Sequence, residues 1–250
     1  MNRLQKTILF LSFMGTQSLV LADLTVGLGV GVGQSPYKDY DSIVAPLPVI
    51  QYQKDRFYID GLKAGVHLYN GEATKLDVHV GYLPLEFKGA DTDDRALKKL
   101  DKRKSTMTAG VGLSHRFNEQ KTEVKVSLDA DILDNSNSLI AEAELNHAFQ
   151  ASDKVRIIPA AGLVWVNEDH NNYYFGVSRK ESATSGVKQY SADGSVHPYI
   201  GVGVHYGMTD NISLFGGARI DFLSKEVKDS PMVDRSVTTA VAIGLTYTFK

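Results

Sequence analysis

Residues 236–250, SVTTAVAIGLTYTFK, restrict the fold more than any other stretch of the chain. In an extended backbone, alternate side chains face opposite ways. Val237, Thr239, Val241, Ile243, Leu245, Tyr247 and Phe249 then form one apolar row. Thr238, Ala240, Ala242, Gly244, Thr246 and Thr248 form a small, weakly polar one. Strands of soluble sheets usually run about 5–6 residues; this alternation runs about twice as long and ends on two aromatic rings. A greasy outer row, a mild inner row and an aromatic end describe the closing strand of an outer-membrane β-barrel.

The N-terminus agrees with that destination. Arg3 and Lys6 precede an apolar run at 8–14, and Val20-Leu21-Ala22 is a small-x-small cleavage site. Residues 1–22 therefore read as a secretory signal peptide, leaving 23–250 as the mature barrel. The apolar run is too short and broken for a membrane helix of ~20 residues, and nothing later reaches that length. The chain has no cysteine, which rules out lipid attachment at the cleavage site and any disulfide framework. Losing Arg3 and Lys6 takes the formal net charge from −2 to −4. No basic patch points to nucleic acid.

Period-2 segments recur along the chain at 24–33, 45–53, 56–60, 62–69, 75–83, 105–117, 121–133, 139–149, 154–166, 196–207, 211–222 and 236–250. They make an all-β antiparallel barrel of about twelve strands, or ten if 45–60 does not span. The glycines of 24–33 come every second residue with no helix behind them, so they read as an inner face open to close approach and not as a phosphate loop. Pro46 and Pro48 need positions where no ladder donor is required. Asn70-Gly71 is the strongest local hairpin signal.

Connections alternate in length. Short turns follow Phe117, Phe149 and Gly207; long ones follow Leu83, Val166 and Phe222. Short periplasmic turns and longer outer loops are the barrel asymmetry. Residues 86–104 read as a charged surface loop with one helical turn near 94–100. Residues 167–195 read as a large, mostly polar external loop with room for a hairpin of its own.

The outward rows are apolar, as in Val124, Val126, Leu128, Ala130 and Ile132, or Ile200, Val202, Val204 and Tyr206. Phe117, Phe149, Tyr206, Tyr247 and Phe249 fall at the short-turn end; Tyr82, Trp165 and Phe222 fall at the long-loop end. Two aromatic belts mark two lipid–water boundaries, whereas a soluble sandwich would scatter its rings through the core. The inward rows carry Lys63, Lys75, Asp77, Arg116, Glu123, Lys125, Asp129, Asp131, Glu142, Glu144, Arg156, Arg219 and Asp221, with His67, His79, His197 and His205. Charges of both signs, buried together, normally pair. A paired network stiffening the lumen is the plain reading; a selective pore or ligand pocket is the other, although mixed signs do not favour selectivity.

No catalytic or metal site emerges. Ser114, Ser127 and Ser213 face inward with the four histidines, but no spacing joins them into a nucleophile, base and orienting group. Asp129-x-Asp131-x-x-Asp134 lacks the glycine and terminal glutamate of a calcium loop. The histidines lack zinc-ligand spacing. No cofactor is expected. Asn211-Ile212-Ser213 matches a glycosylation triplet but sits at the start of a strand.

Several blocks carry a family resemblance: GLGVGVGQSPYKDYDSIVAPLPVIQYQKDRFYIDG at 27–61, Asp94, Leu97, Leu100 and Arg103 in the charged loop, IIPAAGLVWVNEDHNNYYFGV at 157–177, and PYIGVGVHYGMTDNISLFGGARIDF at 198–222 with DSPMVDR after it. In their order and spacing the chain resembles the MipA/OmpV family of outer-membrane proteins over nearly all its mature length. The resemblance implies a non-enzymatic scaffold in the outer membrane of a Gram-negative bacterium. Its implied partners are a lytic murein transglycosylase (MltA) and a penicillin-binding murein synthase, besides outer-membrane lipid. A porin-like channel for small solutes is the alternative it implies. It assigns no partner-binding residue. Lys250 after Phe249 departs from the usual aromatic end of barrel chains.

Overall fold

The computed structural model describes residues 24–119 and 121–249. The signal-peptide assignment at 1–22, Gln120 and Lys250 lie outside them. The strands are β1 (Leu24–Gly33), β2 (Ile43–Lys54), β3 (Phe57–Asp60), β4 (Lys63–Asn70), β5 (Thr74–Leu83), β6 (Thr106–Phe117), β7 (Thr122–Asp131), β8 (Leu139–His147), β9 (Phe149–Gln150), β10 (Val155–Val166), β11 (Ser195–Gly207), β12 (Ile212–Phe222) and β13 (Val237–Phe249). Sequence neighbours pair antiparallel throughout except β8 and β9, which both pair with β10, and β13 pairs with both β12 and β1, so the sheet closes.

β9 is the end of β8 rather than a separate stave. Both meet β10 in one register, with Ala160 opposite Asn146 and Ile157 opposite Phe149. On that register the break at His147 and Ala148 falls opposite Pro159 and Ile158, where proline has no N–H for the ladder. The wall is thus a closed barrel of twelve antiparallel staves, and the segment 45–60 contributes two of them.

Closure pairs the last strand with the first and so removes most of the strand edge that lipid cannot satisfy. The two faces sort as period 2 demands. Val241, Ile243 and Leu245 stand 52%, 53% and 48% exposed on the outside, where acyl chains would cover them. The aromatic residues of both predicted belts are exposed on the same face. His115 and His147 also face outward near the short turns, bonded to Thr74 and Thr122 and resting against Phe117 and Phe149.

Not every ring lies in a belt. Phe215 and Tyr199 point inward and are 1% exposed. The inner-face glycines make room for them. A Cβ at Gly244 would come within 2.4 Å of Phe215 Cζ, and one at Gly162 within 2.4 Å of Tyr199 Cζ. Leu47 and Val49 complete an apolar patch with Phe215 inside the wall. In β1 itself, a Cβ at Gly29 would meet Ile243 O of the neighbouring strand at 2.6 Å and Phe215 Cζ at 2.9 Å, so the close approach expected there is made by a strand and a ring.

The long loops do not stay polar and separate. Segments 34–42, 84–105, 167–194 and 223–236 fold over one mouth around their own core of Tyr37, Phe87, Leu97, Tyr174, Val227 and Met232, among others. Residues 167–194 form α1 (Glu168–Phe175) and α2 (Arg179–Ser185), with one bridge between Val177 and Tyr190 in place of a hairpin. α2 starts on a capping box between Ser178 and Glu181 and ends on Gly186 at φ 80°. A short α3 (Lys225–Lys228) joins from the last loop, and the turn expected near 94–100 is a 3-10 turn at Leu97–Lys99. Among the described residues no helix is long and apolar enough to cross a membrane.

Candidate functional site

The site is the lumen. A cavity of about 1480 Å³ runs from the short turns, where Lys54, Asp153 and Asp210 line it, up to Pro84, Thr108 and Ile140. None of the buried residues of the loop core lines it. The barrel is therefore a cup, open at the short-turn mouth and covered at the other.

The cover is held by rings and by one buried ion pair. Tyr37 lies edge-on to Phe87 at 4.9 Å and donates its hydroxyl to Tyr174 O at 3.2 Å. Burial raises the Tyr37 phenol well above its ordinary pKa, so it stays a donor. Arg103 gives Nη2 to Glu181 Oε1 at 2.7 Å and to Gly176 O at 3.1 Å, joining the 84–105 loop to α2.

His170 on α1 bonds Ser138 Oγ through Nδ1 at 2.8 Å and is 6% exposed. Burial, with a smaller push from His197, drives its pKa down to about 3. It is neutral in the folded cover, whereas the opened cover would take up a proton below the ordinary value of about 6.5. The unfolded form then binds more protons, so stability falls as pH drops from 6.5 towards 3, by at most about 1.4 kcal/mol per unit. Amide exchange in α1, corrected for its intrinsic rate, should speed up as much as tenfold between pH 6 and pH 5. His170→Gln should flatten that dependence; an unchanged slope in the variant would assign the effect elsewhere.

Two networks line the lumen wall. In the first, Tyr58 donates to Asp77 Oδ1 at 2.7 Å, His79 Nδ1 meets the same oxygen at 2.7 Å, and His79 Nε2 meets Asp129 Oδ1 at 2.9 Å. Ser127 and Lys63 reach Asp129 Oδ2 at 3.0 and 3.7 Å. In the second, Arg116 holds Glu123 at 3.0 Å and Lys125 lies 3.4 Å from Glu123 and 3.6 Å from Glu144. Tyr199 OH gives 2.8 Å contacts to both Glu142 and Glu144. Arg219 stacks 3.5 Å over the Tyr199 ring and pairs with Asp221 at 2.6 Å. The paired-charge reading of the inner rows describes these contacts. Tyr199, which shares the inward parity of His197 and His205 but carries no charge, joins the two ends of the second network.

The inward serines and histidines that the structure places in contact serve the wall networks. Ser127 donates to Asp129, not to a histidine, and each nitrogen of His79 faces a carboxylate, leaving none to accept a hydroxyl proton. His67 stacks on Tyr58, and His197 bonds Ser195 Oγ and Ser224 N. Asp131 caps its loop, accepting from the N–H groups of Leu133, Asn135, Ser136 and Asn137. Among the described residues no group of three or more His, Asp or Glu could hold a metal. Asn211 spends its amide on Thr248 O at 2.8 Å, which ties the tight turn to β13.

A twelve-stave barrel with an apolar outer face, two aromatic belts and a polar lumen defines an outer-membrane protein. The family described as "MltA-interacting protein MipA" matches residues 26–249, and the chain belongs to that family. It is 41% identical over 225 residues to the "MltA-interacting protein" of Escherichia coli K12, covering 90% of both chains. It is 35% identical to the "Putative outer membrane protein YiaT" of Escherichia coli O157:H7, covering 99% of both. Among solved structures, an outer-membrane channel of Pseudomonas putida F1 superposes with a TM-score of 0.50 at 9% identity, over 93% of this chain and 97% of that one, which bears on the fold alone.

Proposed function

We propose that this barrel is a non-enzymatic scaffold that holds a lytic murein transglycosylase, and with it a murein synthase, against the inner side of the outer membrane. The observation that carries the reading is the match along 90% of its length to a relative named for its interaction with MltA. The orientation of the cup supports it. Short turns face the periplasm in such barrels, so the open mouth faces the cell wall and the covered one faces outward. The turns alone offer a partner little surface, since stable interfaces bury on the order of 1,600 Å² in total. The concave mouth behind them, lined by Gln150, Asp153, Lys154, Thr209 and Asp210, extends that surface inward.

The test is capture of the two murein enzymes by the detergent-solubilised protein beside an unrelated barrel of similar size. The transglycosylase should be enriched at least tenfold, and Asp153→Lys with Asp210→Lys should reduce the capture. Equal recovery on the unrelated barrel would remove the reading. A small-solute channel is the second reading, favoured by the size of the cavity; it requires the cover to open.

A further inference from the structure

The wall is not equally tall all the way round. β3 is four residues long, and its hairpin with β4 turns at Gly61 and Leu62. Gly61 N donates to Ile50 O at 2.9 Å, and Tyr82 N donates to Leu62 O at 3.1 Å. Those two bonds tie the hairpin tip to β2 on one side and to β5 on the other. Beyond the tip, β2 continues from Val49 to Ile43 with β1 as its ladder partner and none on the other edge among the described residues. Seven residues at roughly 3.3 Å each leave about 23 Å of strand edge facing a notch.

The chemistry of that edge is one-sided. In a strand the N–H and C=O of one residue point the same way. Because Ile50 O faces the hairpin, Val44, Pro46 and Pro48 face the notch. Two of those three positions have no N–H. The edge therefore presents three acceptors and a single donor. The prolines blunt it against pairing with another strand, which answers the sequence question of where they could sit. The carbonyls remain. Unpaired backbone at membrane depth is tolerated where it lines a water-filled cavity, and the lumen cavity is bordered here by Val49, Leu62, Lys63, Gly81, Leu83 and Pro84. On the outside, Val44 is 60% exposed and Ile50 45%, both apolar.

We infer that the notch between β2 and β5 is a hydrated lateral port that joins the lumen to the outer half of the membrane. Its ligand is an amphiphile from that leaflet: an apolar body against Val44, Pro46, Pro48 and Ile50, and a head rich in hydrogen-bond donors, such as an amine, against the free carbonyls. The port is independent of the scaffold reading.

Because the chain has no cysteine, a single one reports one site. Ala45→Cys, on the inward side of the bare edge, would carry a nitroxide in refolded proteoliposomes. Folding is checked by heat-modifiable gel migration, and Ile43→Cys repeats the measurement at a second inward, part-exposed position of the same edge. Ser127→Cys is the lumen control and Leu128→Cys the lipid-facing one. The Ala45 label should respond to oxygen within twofold of the Leu128 label, and to a water-soluble nickel chelate at least fivefold more than it. Dodecylamine should immobilise the label, and dodecanoate, which brings no donor at neutral pH, should not. A response to nickel alone, as at Ser127, or to neither reagent would overturn the port. Equal effects of the two amphiphiles would overturn the donor-bearing ligand.

Discussion

Phe87→Asp should turn a nearly silent barrel into a conducting one. Phe87 is 0% exposed and stands among Tyr37 and Tyr40, with ring centroids 4.9 and 6.1 Å away. Truncating a buried phenylalanine costs about 3–5 kcal/mol, and an unpaired carboxylate there adds a desolvation penalty. The cover is small and rests on this one core, so a loss of that size should open it. The barrel ladders do not pass through Phe87, whose bridge to Arg103 lies within the loop, so the wall should stay folded and keep its heat-modifiable migration. In planar bilayers the variant should show discrete steps and at least tenfold the conductance of the unaltered protein. If the unaltered protein already conducts as well as the variant, the cover does not close the lumen, and the channel reading takes precedence over the scaffold.

Removing Arg103 should have the second largest effect. Arg103→Met leaves Glu181 in place, 6% exposed, with its charge facing a site the guanidinium filled. Breaking one side of a buried pair costs about 3–5 kcal/mol. Glu181 keeps the Ser178 N–H and hydroxyl and the Asp101 N–H, which should hold the loss at the lower end. Proteolysis in the 84–105 and 167–194 loops should rise by two orders of magnitude or more while the strands stay protected. Combining Arg103→Met with Glu181→Leu should recover much of the protection, because an apolar pair leaves no stranded charge. If the double variant is as sensitive as the single one, the pair acts through shape and not through charge.

The strands were legible because lipid imposes a rule that acts on every second residue. Val124 to Ile132 and Val241 to Phe249 could be assigned a face one residue at a time, with no knowledge of their neighbours. Short turns were legible for a local reason too: the turn after Phe117 opens on Asn118, a residue that tolerates the positive φ of 50° it adopts. The cover was not legible. Its core residues, such as Tyr37, Leu97 and Met232, are single apolar side chains in polar segments, with no period that a helix or strand would give. One signal was readable in advance: Ser178 and Glu181 stand at capping-box spacing and mark the start of α2.

What the sequence determined by itself is the barrel, its inner and outer faces, its belts and the gathering of its short turns at one end, because each follows from alternation and turn chemistry within a few residues. Only the tertiary structure decided which inner charges meet, that Tyr199 packs on Gly162 and Phe215 on Gly244, that four loops share a core, and that β2 outruns the β3–β4 hairpin. Those outcomes depend on register between strands and on contacts between residues far apart in the chain, such as Tyr37 with Val233 or Arg103 with Glu181. Closing the barrel brings such residues together, and no local pattern encodes that meeting.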